Sequence, residues 1–156
     1  MRLTGFTRYG LLALVYTTAH ADELITVEQI SAAFGISRNY LTKVVHALGK
    51  AGYLSTARGR AGGLRLGRPA GCITVGEIVR VMERNLDVGE RFDVNNDASA
   101  ITASAELRCA FAAATRAYFD VLDRCTFADL ASEQVELTRL LIGNLVSHPA
   151  TQQSSP

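Results

Sequence analysis

This chain is poor in the features that would place it outside the cell, in a membrane or around a metal. It has three cysteines, Cys72, Cys109 and Cys125, in 156 residues. An odd, sparse set does not build a disulfide framework, and its spacings match no common metal motif. No apolar run reaches the roughly 18 residues that a membrane-spanning helix needs. The opening Met1-Arg2-Leu3-Thr4-Gly5-Phe6 lacks the apolar stretch of a signal peptide. The expectation is a cytoplasmic protein with no membrane partner. Catalytic signatures are missing too. His20, His46 and His148 are scattered, and no nucleophile–base pair or paired-carboxylate motif stands out. Arg58-Gly59-Arg60 lacks the GxxxxGKS/T pattern of a phosphate-binding loop. Asp120 and Asp123, three apart on a helix, read as a solvated acidic face. These absences argue against an enzyme.

Overall charge excess is also absent, at +1. Its distribution is uneven. Residues 1–68 hold nine basic residues (Arg2, Arg8, Arg38, Lys43, Lys50, Arg58, Arg60, Arg65, Arg68) against three acidic ones (Asp22, Glu23, Glu28), and the remainder is acidic on balance. A positive half points to nucleic acid at that end.

Hydrophobic residues make up 48% of the chain, enough for one compact domain or a small domain with an oligomerisation element. From Thr7 to Ala19, Tyr9, Leu11, Leu12, Leu14, Val15 and Tyr16 recur at helical spacing, which predicts a buried first helix. Thr26-Val27-Glu28-Gln29 is a capping box that opens a second helix through Ile30 to Phe34, and Gly35 stops it. Ser37 suits the N-cap of a third helix. Leu41, Val44, Val45 and Leu48 form that helix's inner stripe, and it ends near Gly49–Gly52. Two short helices joined by a glycine-containing turn are the helix-turn-helix pattern. Arg38, Asn39, Tyr40, Thr42, Lys43 and His46 lie on the exposed side of the later helix and suit base edges and phosphates.

Next come two short strands, Tyr53-Leu54-Ser55-Thr56-Ala57 and Leu64-Arg65-Leu66. The intervening Arg58-Gly59-Arg60-Ala61-Gly62-Gly63 has three glycines that permit a tight reversal with positive φ. Two arginines at its tip make a cationic wing suited to phosphates or a narrow minor groove. The candidate DNA contacts are therefore Ser37, Arg38, Asn39, Tyr40 and Lys43 on the helix, with Arg58 and Arg60 on the wing.

Thr74-Val75-Gly76-Glu77 is a second capping box, opening a helix with Ile78, Val79 and Met82 on one face. Residues 85–103 have little periodicity and read as a loop. A long helix runs from about Ala105 to Leu122, with Leu107, Phe111, Tyr118, Phe119 and Leu122 on one side. Ala110, Ala112, Ala113, Ala114 and Ala117 would let another helix approach, which suits a dimerisation element. Thr126 caps a further short helix. The predicted fold is mainly α with a small β-hairpin wing: a winged helix-turn-helix plus a long C-terminal dimerisation helix. Its expected parts are a DNA-binding region (1–68), a connecting helix and sensor-type loop (69–104), dimerisation and C-terminal helices (105–145), and a disordered tail (146–156).

Several stretches are familiar as a set. They are Met1-Arg2-Leu3-Thr4, Phe6-Thr7, Tyr9-Gly10-Leu11, Ile36-Ser37-Arg38-Asn39 with Val44, Ala51-Gly52-Tyr53, Arg58-Gly59-Arg60, Gly62 to Leu66, Leu122-Asp123 and Thr126 to Leu130. Over about residues 1–131 they resemble the NsrR/IscR-type winged helix-turn-helix transcription regulators, and most closely the nitric-oxide-sensing repressors among them. The resemblance implies a homodimer on a palindromic operator in double-stranded DNA, repressing nitrosative-stress or iron–sulfur-linked genes.

It also implies an iron–sulfur cluster, held by three cysteines in the loop before the long helix. In some members an aspartate near the start of the partner subunit adds a ligand. Aligned on Glu90-Arg91-Phe92 and on Ser99-Ala100-Ile101, those cysteine positions fall here at Arg91 (or Asp93), Ser99 and Ala105, and the aspartate position at Arg8. Guanidinium groups only donate, and a methyl group offers nothing. The expectation is a DNA-binding regulator without metal ligands and without the cofactor. In it, the three cysteines are small buried hydrophobes. Other readings stay open: a cluster sensor using Cys109 with Asp93 or Asp97, redox thiols at Cys109 and Cys125, or a winged-helix module that docks protein.

Overall fold

The computed structural model describes residues 3–57, 59, 62–83 and 105–132. Arg58, Arg60, Arg91, Ser99, the loop at 85–103 and the tail lie outside the described residues. The elements are α1 (Gly5–Ala19), α2 (Val27–Phe34), α3 (Arg38–Lys50), β1 (Leu54–Ala57), β2 (Gly63–Leu66), a 3₁₀ turn (Ala70–Cys72), α4 (Val75–Met82), α5 (Ala105–Leu122) and α6 (Phe127–Ser132). Among the described residues, the fold is mainly α with one two-stranded antiparallel hairpin, as expected. Among the described residues, no helix is long and apolar enough to cross a membrane.

Helix α1 starts two residues before its expected first residue. Thr4 caps it, its hydroxyl accepting from the Thr7 N–H at 3.3 Å. The run Leu12-Ala13-Leu14-Val15 is buried outright, so α1 is enclosed on several sides rather than on one stripe. Its inward Thr17 and Thr18 satisfy their hydroxyls on the Ala13 and Leu14 carbonyls, at 2.8 and 2.7 Å. Helices α3, α4 and α6 and strand β2 all pack on α1. Gly10 is the tightest point: a Cβ there would strike the Met82 side chain of α4 and touch Val44 of α3 at 3.8 Å.

The Thr26–Gln29 capping box forms in both directions, at 2.7 and 3.2 Å, and Gly35 adopts the left-handed conformation that ends α2. Helix α3 buries Leu41, Val44, Val45 and Leu48. Ser37 occupies the N-cap position, but its side chain makes no capping bond. Its carbonyl instead accepts from the Leu41 N–H at 2.9 Å, and the residue stays exposed.

The hairpin pairs Leu54 with Leu66 and Thr56 with Leu64. It is anchored by Ile25, which exchanges two hydrogen bonds with Leu64 at 2.9 and 2.7 Å. Tyr53 precedes β1 and is buried, with the Arg68 guanidinium 4.5 Å above its ring.

The Thr74–Glu77 capping box also forms, and Ile78, Val79 and Met82 are buried. Thr126 caps α6 through a reciprocal exchange with Asp129. Thr74 and Thr126 pair as an antiparallel bridge, and Phe127 is fully buried beneath it. Asp123 is not part of a solvated acidic face. Its carboxylate takes both Arg80 guanidinium nitrogens at 2.7 Å, and Arg80 also sits 4.0 Å over the Phe119 ring. The Arg80 guanidinium holds Asp123 below the usual carboxylate range. The cysteines depart from expectation as well. Cys72 and Cys109 are exposed, in a 3₁₀ turn and a helix that hold no buried residue, and Cys125 is half-buried.

Glu83, at the end of α4, is buried against the start of α1. Its Oε1 accepts from the Thr4 hydroxyl at 2.8 Å and from the Thr4 N–H. Burial pushes its pKa up, but hydrogen bonds from Thr7 and Thr4 outweigh burial and hold the carboxyl below its ordinary value. A depressed native pKa contributes stability at pH values above the unfolded pKa, and that contribution is lost as pH falls through the native one. Glu83→Gln should cost about 1–3 kcal/mol at neutral pH. It should also flatten the loss of stability in acid. Denaturant unfolding of both chains across pH checks this, and equal stability at neutral pH would refute the clasp.

Candidate nucleic-acid interface

Because α3 buries one stripe, its opposite side is fixed by the 3.6-residue turn. Asn39, Lys43, His46 and Lys50 occupy the centre of that outward face, and all are exposed. Arg38 and Thr42 flank it on the hairpin side. The structure thus brings Arg38, Asn39 and Lys43 of the expected set onto one surface. His46, which the sequence also placed on the exposed side, joins them, and the structure adds Lys50, whose i,i+4 spacing from His46 was the available signal.

Tyr40 is set apart. Its ring packs edge-on against Tyr9 and Phe6, with centroids at 5.4 and 6.1 Å, so it belongs mainly to the seam between α1 and α3.

Between α3 and the hairpin runs a groove of about 870 Å³. Thr42, His46 and Lys50 line its helix side, and Ser55, Thr56 and Leu64 its hairpin side. Arg65 stands exposed on β2 opposite Ser55. Among the described residues, Lys43, Lys50 and Arg65 make no ion pair. Arg38 pairs with Glu28 at 2.6 Å, with both side chains more than half exposed. Such surface pairs are worth about 0–1 kcal/mol, so a phosphate can replace the carboxylate. Arg68, between the Tyr53 ring and Glu77 at 3.5 Å, holds the base of the hairpin instead.

Of the three wing glycines, only Gly59 takes a positive φ, at 121°. Gly62 and Gly63 are needed for close approach. A Cβ on Gly62 would lie 2.5 Å from the Ala57 carbonyl oxygen and 2.9 Å from that of Gly59, and one on Gly63 would lie 2.9 Å from the Leu24 Cβ. The Gly62 N–H donates to the Gly59 carbonyl at 3.0 Å, closing the reversal.

Of the positions where the resemblance would place cluster ligands, two are described. Arg8 is half-buried in the first turn of α1, and Ala105 is the exposed first residue of α5. Among the described residues, no three His, Cys, Asp or Glu side chains come close enough to hold a metal ion.

The sequence and the fold are similar to those of known proteins. The Rrf2 family model, described as an iron-dependent transcriptional regulator, matches residues 3–133. The HTH-type transcriptional regulator NsrR of Bacillus subtilis is 38% identical over 142 residues, covering 90% of this chain and 97% of that one. NsrR of Geobacillus kaustophilus is 39% identical over the same shares. The structure of CymR (YrzC), the global cysteine regulator of B. subtilis, superposes with a TM-score of 0.66 at 28% identity, covering 85% of this chain and 98% of that one.

The glycine geometry gives a direct test of the wing. Gly62→Ala should deform the reversal while leaving the helical core intact. The expected result is a several-fold loss of affinity for duplex DNA with only a small fall in Tm. Unchanged affinity in a DNA titration would show that the shape of the wing does not matter to binding.

Proposed function

Because this chain belongs to the Rrf2 family of transcriptional regulators, which bind DNA and are not enzymes, we propose that it is a cytoplasmic repressor acting as a homodimer on a palindromic operator. The observation that carries this reading is the exposed polar face of α3 beside a glycine-closed hairpin. In that reading Ser37, Arg38, Asn39 and Lys43 dock in the major groove, with Tyr40 at its edge. Arg58 and Arg60 anchor the wing on phosphates. The resemblance to nitric-oxide-responsive repressors points to nitrosative-stress or iron–sulfur-linked genes as targets.

Support for the dimer comes from α5. The helix has 18 residues, about 27 Å of length, and none of them is buried. Phe111 is 37% and Val121 67% exposed, beside a run of alanines that admits a second helix closely. A symmetric dimer reads two half-sites, which a palindrome supplies.

Two expectations test the DNA reading. Arg60→Ala should weaken binding to all sequences alike and lower the slope of log affinity against log salt by about one. Asn39→Ala should instead flatten sequence preference, by about 1–3 kcal/mol at one base pair. Gel-shift titrations at several salt concentrations measure both, and no effect of either would sink the assignment. For the dimer, Phe111→Glu together with Val121→Glu should yield a folded monomer by sedimentation and circular dichroism. A doubly substituted chain that still sediments as a dimer would place the interface elsewhere.

A further inference from the structure

We propose that this regulator works without an iron–sulfur cluster, so that its affinity for DNA is independent of iron and of nitric oxide. The second half rests on the DNA-binding reading above; the first does not.

Iron–sulfur clusters in general are held by four thiolates, or by two thiolates and two imidazoles in the Rieske variant, and the cluster that the resemblance implies needs three thiolates converging on one point. The chain has three cysteines in all, and each lies among the described residues. Cys109 sits in the second turn of α5 and Cys125 three residues beyond its end. The helix between Cys109 and Leu122 alone spans about 20 Å. Cys72 and Cys125 flank the bridge of Thr74 with Thr126, where the Val75 N–H donates to the Cys125 carbonyl at 2.9 Å and the Phe127 N–H to the Ile73 carbonyl at 3.0 Å. In that antiparallel register Cys125 lies opposite Val75. Cys72 closes the 3₁₀ turn on the other side of the bridge and is exposed, whereas Cys125 is half-buried.

With Cys109 held that far from Cys125, the three thiolates do not meet at one point in the chain. Among the described residues, oxygen and nitrogen ligands do not fill the gap. Glu83 is committed to Thr4, Asp123 to Arg80, and His20 to the Tyr16 carbonyl at 2.8 Å. No trio of His, Cys, Asp or Glu converges among the described residues. At the positions the resemblance would assign to ligands, Arg8 and Arg91 (or Asp93) stand with Ser99 and Ala105: guanidinium groups present fixed positive charge, a methyl group offers nothing, and a carboxylate or a serine hydroxyl is a hard oxygen donor where the family has a thiolate. The donor set does not fit the group.

The test uses the full chain, purified without oxygen, incubated with ferrous iron, sulfide and a thiol reductant, and then desalted. The expected result is well under one iron and one acid-labile sulfide per chain, and no visible absorption. Two or more irons with matching sulfide would overturn the proposal. The triple variant Arg91→Cys, Ser99→Cys, Ala105→Cys should take up iron under the same conditions, and equal uptake by both chains would also overturn it. Duplex DNA enriched from a random pool then serves as the binding probe. Its affinity should change less than twofold with an iron chelator or a nitric oxide donor, and a tenfold change would refute the independence. Failure to enrich any DNA would strike at the DNA-binding reading, while the iron content still decides the cluster question.

Discussion

Burial of α1 on several sides is the constraint from which the rest of the molecule follows. A helix that presents Leu12, Ala13, Leu14 and Val15 in succession to the interior needs cover from more than one direction. Here α3, α4, α6 and β2 provide it. The inner stripe of α3 is consumed in this task, which is why its polar residues face outward as a set. At Gly10 the end of α4 and the middle of α3 meet the same turn of α1, so Met82 and Val44 are neighbours through a gap that any side chain on Gly10 would fill. Packed interiors respond to changes of a single methylene group, so a shift at the end of α4 is felt by the inner face of α3.

Polar groups drawn into this core are satisfied. Among the described residues, no buried side-chain nitrogen or oxygen lacks a hydrogen-bond partner. Thr17 and Thr18 fold their hydroxyls back onto their own helix, and Glu83 spends its buried charge on Thr4 and Thr7. Replacing such a group by one that cannot accept leaves a donor stranded, which is costlier than the bond itself is favourable. The junction of α1 and α4 is thereby specified in geometry as well as in hydrophobic contact.

What could be read from the sequence was local. The capping boxes at Thr26 and Thr74, the stop at Gly35 and the cap at Thr126 depend on residues within a few positions of each other, and all formed. The inner stripe of α3 and the bounds of α5 followed from a 3.6-residue period. What could not be read was the pairing of distant residues. Thr4 and Glu83 are 79 positions apart and Arg80 and Asp123 43 apart, and no local rule joins them. The exposure of the cysteines was hidden for the same reason, since burial depends on which face of a turn or helix meets the core. Within the candidate interface, periodicity gave the polar face but not the sorting within it. Tyr40 lies at the edge of that face, and only the presence of Phe6 and Tyr9 on α1 turns its ring toward the seam.

The attachment of α5 shows how a modest interaction can matter. The helix meets the body mainly through α4 and buries no residue of its own. The clamp there combines a two-pronged Arg80–Asp123 pair, the Arg80–Phe119 contact, and Asp123 within 3.5 Å of the Thr74 hydroxyl. The Arg80 and Asp123 side chains are 44% and 37% exposed, so solvent screens the pair and its contribution to stability is at most about 1 kcal/mol. Its value is directional. A planar guanidinium held at both ends of a carboxylate and pressed on a ring fixes the orientation of two elements at once. In the proposed dimer that orientation sets the distance between two α3 helices, and half-sites one turn of DNA apart, about 34 Å, tolerate little error in it. A contact too weak to hold the fold together is then strong enough to decide which spacing of DNA the dimer can read.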